Sequence, residues 1–160
     1  MSKIWMVLPL AVAGVLAAPV VDTPAGFGHW SREAIGQVEM KLDAEASTSA
    51  QRIAVQQLAD YPNESMSLVR RIADGQAEWH ETQVDVIIVQ SGSATLLVGG
   101  TLVNGETTAP HEKRNGTIEG GSRVKLAAGD IARIPPRTPH QLLLEGSKAF
   151  DYIVIKVKGY

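Results

Sequence analysis

The segment Glu78-Trp79-His80, followed by Asp85, holds the residue types from which a metal site or an acid-base centre is made. In an extended strand, side chains two apart share a face, so Glu78 and His80 point the same way. Asp85 follows a short connection and precedes an apolar run, Val86-Ile87-Ile88-Val89. It is therefore placed to fold back beside them as the opening residue of the next antiparallel strand. Far along the chain, Gly129-Asp130-Ile131-Ala132-Arg133-Ile134-Pro135 leads through Pro136-Arg137-Thr138-Pro139 to His140. Convergence of His80 and His140 with Glu78 and Asp85 gives a two-histidine, two-carboxylate set suited to one divalent ion such as iron, manganese or zinc. A carboxylate left free, Glu78 or Asp85, would serve as general base. Each residue also has a plainer reading: buried histidines satisfied by hydrogen bonds, a turn aspartate, and a solvated glutamate at a strand end.

Arg70 and Arg133 sit on strand phases that could turn inward and hold an acidic substrate, with surface solvation as the alternative. His111 and Glu112 lie in a polar excursion and read as solvated, or as a lid over the site. His29 and Trp30 read as packing residues. The pair His80-Glu81 is not the helical metalloprotease signature, because position 84 is Val rather than His. No Ser-His-Asp order and no phosphate-cradling glycine loop stands out. The chain contains no cysteine, which removes thiolate chemistry and thiolate metal ligation.

The elements that must position these residues can be read from periodicity and punctuation. Ser31 makes an N-cap with Glu33 in the first turn, and Ala34, Ile35, Val38 and Leu42 follow at helical spacing. An amphipathic helix over Arg32 to about Ala46 is expected. From Gln51 onward, short alternating stretches take over, separated by Tyr61-Pro62-Asn63, by Asp74-Gly75 as a hairpin-type turn, and by Gly92 and Gly99-Gly100. Residues 104–121, rich in Gly, Thr and charge, read as a long surface excursion or flap. Strands over Arg123–Leu126, Asp130–Ile134, Gln141–Leu144 and Phe150–Val157 complete the pattern. Ile87 and Val89 share the phase of Asp85, which places them in the interior beneath it. Short strands at intervals of roughly ten residues indicate an antiparallel sandwich or barrel.

At 160 residues the chain is long enough for one domain with a real core. Its net charge of −2 gives no electrostatic case for nucleic acid or an anionic membrane surface. Lys3, the uncharged apolar stretch Ile4–Leu16 and the small residues around Ala17-Ala18 form the pattern of an export signal over residues 1–18. Residues 19–30 follow as a flexible lead-in to a domain over 31–160. The stretch is short for a membrane span, which needs roughly 20 apolar residues. The expected mature protein is secreted or periplasmic, with no stable membrane anchor. Asn63 and Asn115 stand in sequons, which matter only in a eukaryote.

These strands and motifs resemble the cupin superfamily. The family's first motif, Gly-x5-His-x-His-x3-4-Glu-x6-Gly, is matched by His80 and Gly92, with Glu78 in the place of the first histidine and Asp85 in that of the glutamate. Its second motif, Gly-x5-Pro-x-Gly-x2-His-x3-Asn, is matched by Gly129, Pro135 and His140, with Arg137 for the glycine and Leu144 for the asparagine. The resemblance covers about residues 65–157. It implies a mainly β fold, a double-stranded β-helix or jelly-roll barrel, here preceded by one amphipathic helix. It also implies one divalent ion (Fe, Mn, Zn, Ni or Cu) on His80, His140, Asp85 and Glu78. The expected activity is on a small organic molecule, of oxygenase, isomerase or lyase type, the ion acting as Lewis acid or oxygen-activating centre. The alternative is a non-catalytic barrel that binds a small ligand or self-associates. Its sheet faces are apolar enough for a homodimer.

Overall fold

The computed structural model describes residues 23–160. The expected export signal over residues 1–18 lies outside them. Helix α1 spans Arg32–Thr48, two residues longer than its apolar periodicity marks. Ser31 caps it, its side chain accepting from the Ala34 amide at 3.1 Å. The apolar stripe of α1 buries Leu42 and Ala46 against Ala54 and Leu68 of the first two strands. Among the described residues no helix is long and apolar enough to cross a membrane.

Twelve strands follow: β1 (Ile53–Asp60), β2 (Glu64–Arg71), β3 (Glu78–His80), β4 (Gln83–Val98), β5 (Thr101–Val103), β6 (Glu106–Ala109), β7 (Glu112–Arg114), β8 (Thr117–Glu119), β9 (Ser122–Ala127), β10 (Ile131–Ile134), β11 (His140–Leu143) and β12 (Phe150–Lys158). All pairings are antiparallel. One wall runs β1-β2-β12-β4 with β10 on β4, and the other is built from β4, β9, β11, β3, β7 and β6. Strand β4 belongs to both. Its first half pairs with β12 and β10, and its second half with β9 and β11.

The crossing from one wall to the other falls at Gly92. Its φ is +75°, and a Cβ there would stand 2.1 Å from the Ala149 carbonyl oxygen, so only glycine fits. Gly92 was expected to separate two strands, but one continuous strand of 16 residues bends through it. The inward phase of both walls packs Val69, Ile87, Val89, Leu96, Ile134 and Phe150 into the core. Ile87 and Val89 are 3% and 2% exposed, as their shared phase with Asp85 requires.

Two local expectations are corrected. Asp74-Gly75 is not a hairpin turn: β2 and β3 lie in different walls, and the link is tied to β11 and the residue after it. The Gly75 amide donates to the Leu142 carbonyl at 2.7 Å, and the Leu144 amide donates to Asp74 Oδ1 at 2.7 Å. Residues 104–121 are not a loose flap. They form β6, β7 and β8, and β7 pairs with β3 directly beside the site. Arg137 keeps a left-handed backbone, φ +59°, where the resembling motif has glycine, and its amide donates to the His80 carbonyl at 2.7 Å.

Candidate metal centre

Strand register assembles the site. Pairing of β11 with β3 sets His140 opposite Glu78. Pairing of β3 with β7 sets Arg114 opposite Glu78 and Glu112 opposite His80. Pairing of β12 with β4 sets Lys156 opposite Asp85. Directly opposed side chains on one face stand roughly 5 Å apart at Cβ, so these registers alone bring the groups into contact. Glu78, His80 and His140 each offer a ligand atom, and these atoms all lie within 4.8 Å of one another.

The outer nitrogens of both imidazoles fix which inner nitrogens are free. His80 Nδ1 is 2.6 Å from Glu112 Oε2, and His140 Nδ1 is 3.0 Å from the Thr138 carbonyl oxygen. A carboxylate and a carbonyl only accept, so both Nδ1 atoms carry the proton. Both Nε2 atoms then face inward, the orientation from which an imidazole with a supporting acceptor on Nδ1 ligates a metal. Two imidazoles and one carboxylate are the donor set of three-ligand catalytic sites for zinc or iron. The residues therefore fit a divalent ion.

Asp85 lies beside this group with its oxygens committed. Lys156 Nζ donates to its Oδ2 at 2.7 Å, and the Gln83 side-chain amide donates to Oδ1 at 3.1 Å. The same ammonium is 3.2 Å from His80 Nε2. Asp85 Oδ2 also faces His80 Nε2 at 3.4 Å and His140 Nε2 at 3.7 Å. Burial alone would raise the Asp85 pKa, but the two facing imidazoles and the Lys156 charge outweigh it and hold the group well below the ordinary carboxylate range. At Glu78, burial again raises the pKa, and Arg114, then Lys156 and the imidazoles, bring it below its ordinary value. Both carboxylates are thus charged at neutral pH, each against its own cation.

The group opens on a cavity of about 180 Å³ between the walls. Its polar side is formed by Arg71, Glu78, Asp85, Arg114, His140 and Lys156, and its apolar side by residues such as Val69, Ile87, Leu142 and Val154. Arg114 Nη1 is 2.9 Å from Glu78 Oε2. Arg71 Nε donates to the Tyr152 hydroxyl oxygen at 3.2 Å. Burial pushes the Tyr152 phenol up, keeping it protonated.

The two arginines expected to hold substrate do not enter this cavity. Arg70 points to the outer face, where it bridges Asp151 at 2.8 Å and Asp43 of α1 at 2.7 Å. Alternation puts its neighbour Arg71 inside instead. Arg133 is exposed, because Ile134 takes the inward phase of β10 opposite Asp85. Glu81 faces away from the site and bonds the exposed His111 at 2.7 Å.

Three residues of the site escaped the sequence reading, Lys156, Arg71 and Arg114, while Glu112, read as solvated or as a lid, stands behind His80. Lys156 left a signal, since it shares the phase of the inward Tyr152 and Val154, where a charge is out of place. Arg71 was hidden because β2 is covered on both faces, by α1 outside and by the opposite wall inside. Arg114 had no local signal, its place depending on β7 pairing with β3.

No family model matches the sequence, and no curated protein matches it. Similar folds occur among solved structures. The cupin domain of Schizosaccharomyces pombe Cnp3 is 9% identical with a TM-score of 0.52, the match covering 68% of this chain and 66% of that one. The TT1209 protein of Thermus thermophilus is 15% identical with a TM-score of 0.52, covering 69% and 87%. KdgF of Halomonas sp. is 16% identical with a TM-score of 0.50, covering 71% and 85%. Identities this low speak for the fold alone. With two walls of antiparallel strands closing on a cavity and His140 at its polar side beside His80, the chain has the fold of a cupin barrel.

Proposed function

We propose that this barrel binds one divalent metal ion through Glu78, His80 and His140 and acts on a small organic molecule held in the adjoining cavity. The observation that carries the reading is the pair of inward Nε2 atoms, each oriented by an acceptor on Nδ1, beside a buried carboxylate. When bound, the ion would supply Lewis-acid or oxygen-activating chemistry. The chain's own residues do the rest. The apolar side of the cavity excludes water and strengthens every charge interaction there. Asp85 and Lys156 form a hydrogen-bonded acid-base pair at its edge, with Asp85 as acceptor for a substrate proton once Lys156 turns away. Tyr152 keeps a phenolic proton available for donation.

Stoichiometric metal binding by the purified protein is the test. Elemental analysis and titration should give one ion per chain for the parent and none for His80→Ala or His140→Ala. A parent that retains and takes up no divalent ion at neutral pH would sink the reading. A second reading is favoured by one observation, the Lys156 ammonium lying against Asp85 and His80: a barrel in which lysine supplies the positive charge and a ligand binds without metal. Export is proposed from the N-terminal segment and is tested by finding the mature N-terminus at Ala18 or Pro19. Self-association is proposed from the exposed Val124 and Ile131 on the outer sheet faces and is tested by light scattering.

A further inference from the structure

We propose that Arg71 is the anion anchor of the cavity, and that the molecule bound there is a small monocarboxylate with a compact apolar body about the size of benzoate. The inference rests on the reading of this cavity as the working site. Arg71 is 8% exposed, on the inward phase of β2. A guanidinium carries five N–H donors, and the Nη donors of Arg71 are open to the cavity rather than sealed in the core. Among the described residues it has one hydrogen bond, from Nε to Tyr152, and one loose ion pair, Nη2 to Glu78 at 3.8 Å. Glu78 is already neutralised by Arg114 at 2.9 Å. The guanidinium lies over Gly75, where a Cβ would stand 3.0 Å from its Cζ, so the missing side chain keeps its berth open. Its planar fork matches a carboxylate with two parallel bonds.

Charge and size agree with that ligand. Arg71, Arg114 and Lys156 line the cavity against Glu78 and Asp85, with Glu112 behind the lining at 3.8 Å from Arg114, so the lining itself carries one more positive than negative charge. A single carboxylate neutralises it. The opposite side offers Ile53, Val69, Ile87, Leu142 and Val154 to an apolar body. The cavity of about 180 Å³ exceeds the roughly 150 Å³ that holds a benzene ring, leaving space for one small substituent.

Calorimetric titration with benzoate and its neutral isostere benzamide tests this, on metal-stripped and on zinc-loaded full-length protein. Benzoate should bind at least tenfold more tightly than benzamide in the stripped protein. Arg71→Met should abolish that preference, and Arg71→Lys should retain part of it. Equal affinity of the parent for the two compounds would overturn the proposal even where Arg71→Met fails to fold. So would a preference that needs zinc and survives in Arg71→Met, because the carboxylate would then be going to the ion. The metal reading fails separately: benzoate preference without zinc uptake removes the ion and leaves Arg71 as anchor, while stoichiometric zinc without the preference removes the anchor alone.

Discussion

Replacing Lys156 with methionine should tighten divalent-metal binding by roughly 30-fold, and the magnitude follows from where the ammonium lies. Nζ is 3.2 Å from His80 Nε2, and a metal on that nitrogen would stand roughly 2 Å from it. Two unit charges about 4 Å apart at an effective dielectric near 20 repel by about 4 kcal/mol, and a divalent ion doubles this. Lys156 will not stay under such repulsion. Its side chain is 25% exposed and can turn outward. Metal entry then costs what the turn costs, namely the charged hydrogen bond to Asp85, about 2 kcal/mol. Methionine removes that cost, and 2 kcal/mol is roughly 30-fold in affinity.

Competitive titration against a chromophoric chelator at one fixed pH would measure the change. The variant carries a second signature. Without metal it leaves Asp85 without that charged hydrogen bond, a loss of the same size, about 2 kcal/mol. Its melting temperature should therefore fall below the parent's in chelator and recover strongly when the ion is added. If Lys156→Met binds the ion no more tightly than the parent while both bind it stoichiometrically, the ammonium does not compete with the metal.

Other outcomes follow from the same geometry. Glu112→Gln should weaken metal affinity about 10- to 100-fold without unfolding the barrel, since it loosens the support of His80; unchanged titration would mean that support is idle. Glu78→Ala should weaken binding strongly and Glu78→His should restore it with a shift toward nickel or copper, read by the same competition assay. Ile87→Ala should cost about 2–5 kcal/mol in a denaturant titration, and a loss below about 0.5 kcal/mol would contradict its burial. Asp85 and Glu78 both lie below their ordinary pKa values in the folded chain. Their stabilisation is therefore complete above the unfolded carboxylate range, about 4, and is lost progressively as pH falls below it. Urea unfolding that is flat between pH 5 and 3 would contradict this.

The fold was largely legible because it rests on local chemistry. Ser31 and the stripe through Leu42 announce the helix, and Gly92, Gly129 and Pro135 sit where a strand must cross between walls or turn. The histidines were legible for a related reason, since His80 and His140 stand at fixed offsets from that punctuation. The excursion was misread because residues 104–121 carry turn chemistry at nearly every second position. Gly, Asn and Thr there mark strand ends as well as loops, and strands of three or four residues are too short to show a period.

The rest of the site depends on which face of a strand looks inward, and composition settles that only where one face meets water. On β2 it does not. Leu68 is fully buried under α1, and Val69 is buried in the barrel, so an arginine on either phase looks equally inward from the sequence. Arg70 takes the outer place because Asp151 and Asp43 await it there, and Arg71 must then face the cavity. On β12 the pattern was informative. Tyr152 and Val154 fill the inward phase, and the next residue on that phase is Lys156. A strand that places a lysine on a buried phase needs a carboxylate opposite it. The β12–β4 register supplies Asp85, whose oxygens go to Lys156 and Gln83 while Glu78, His80 and His140 gather around one point.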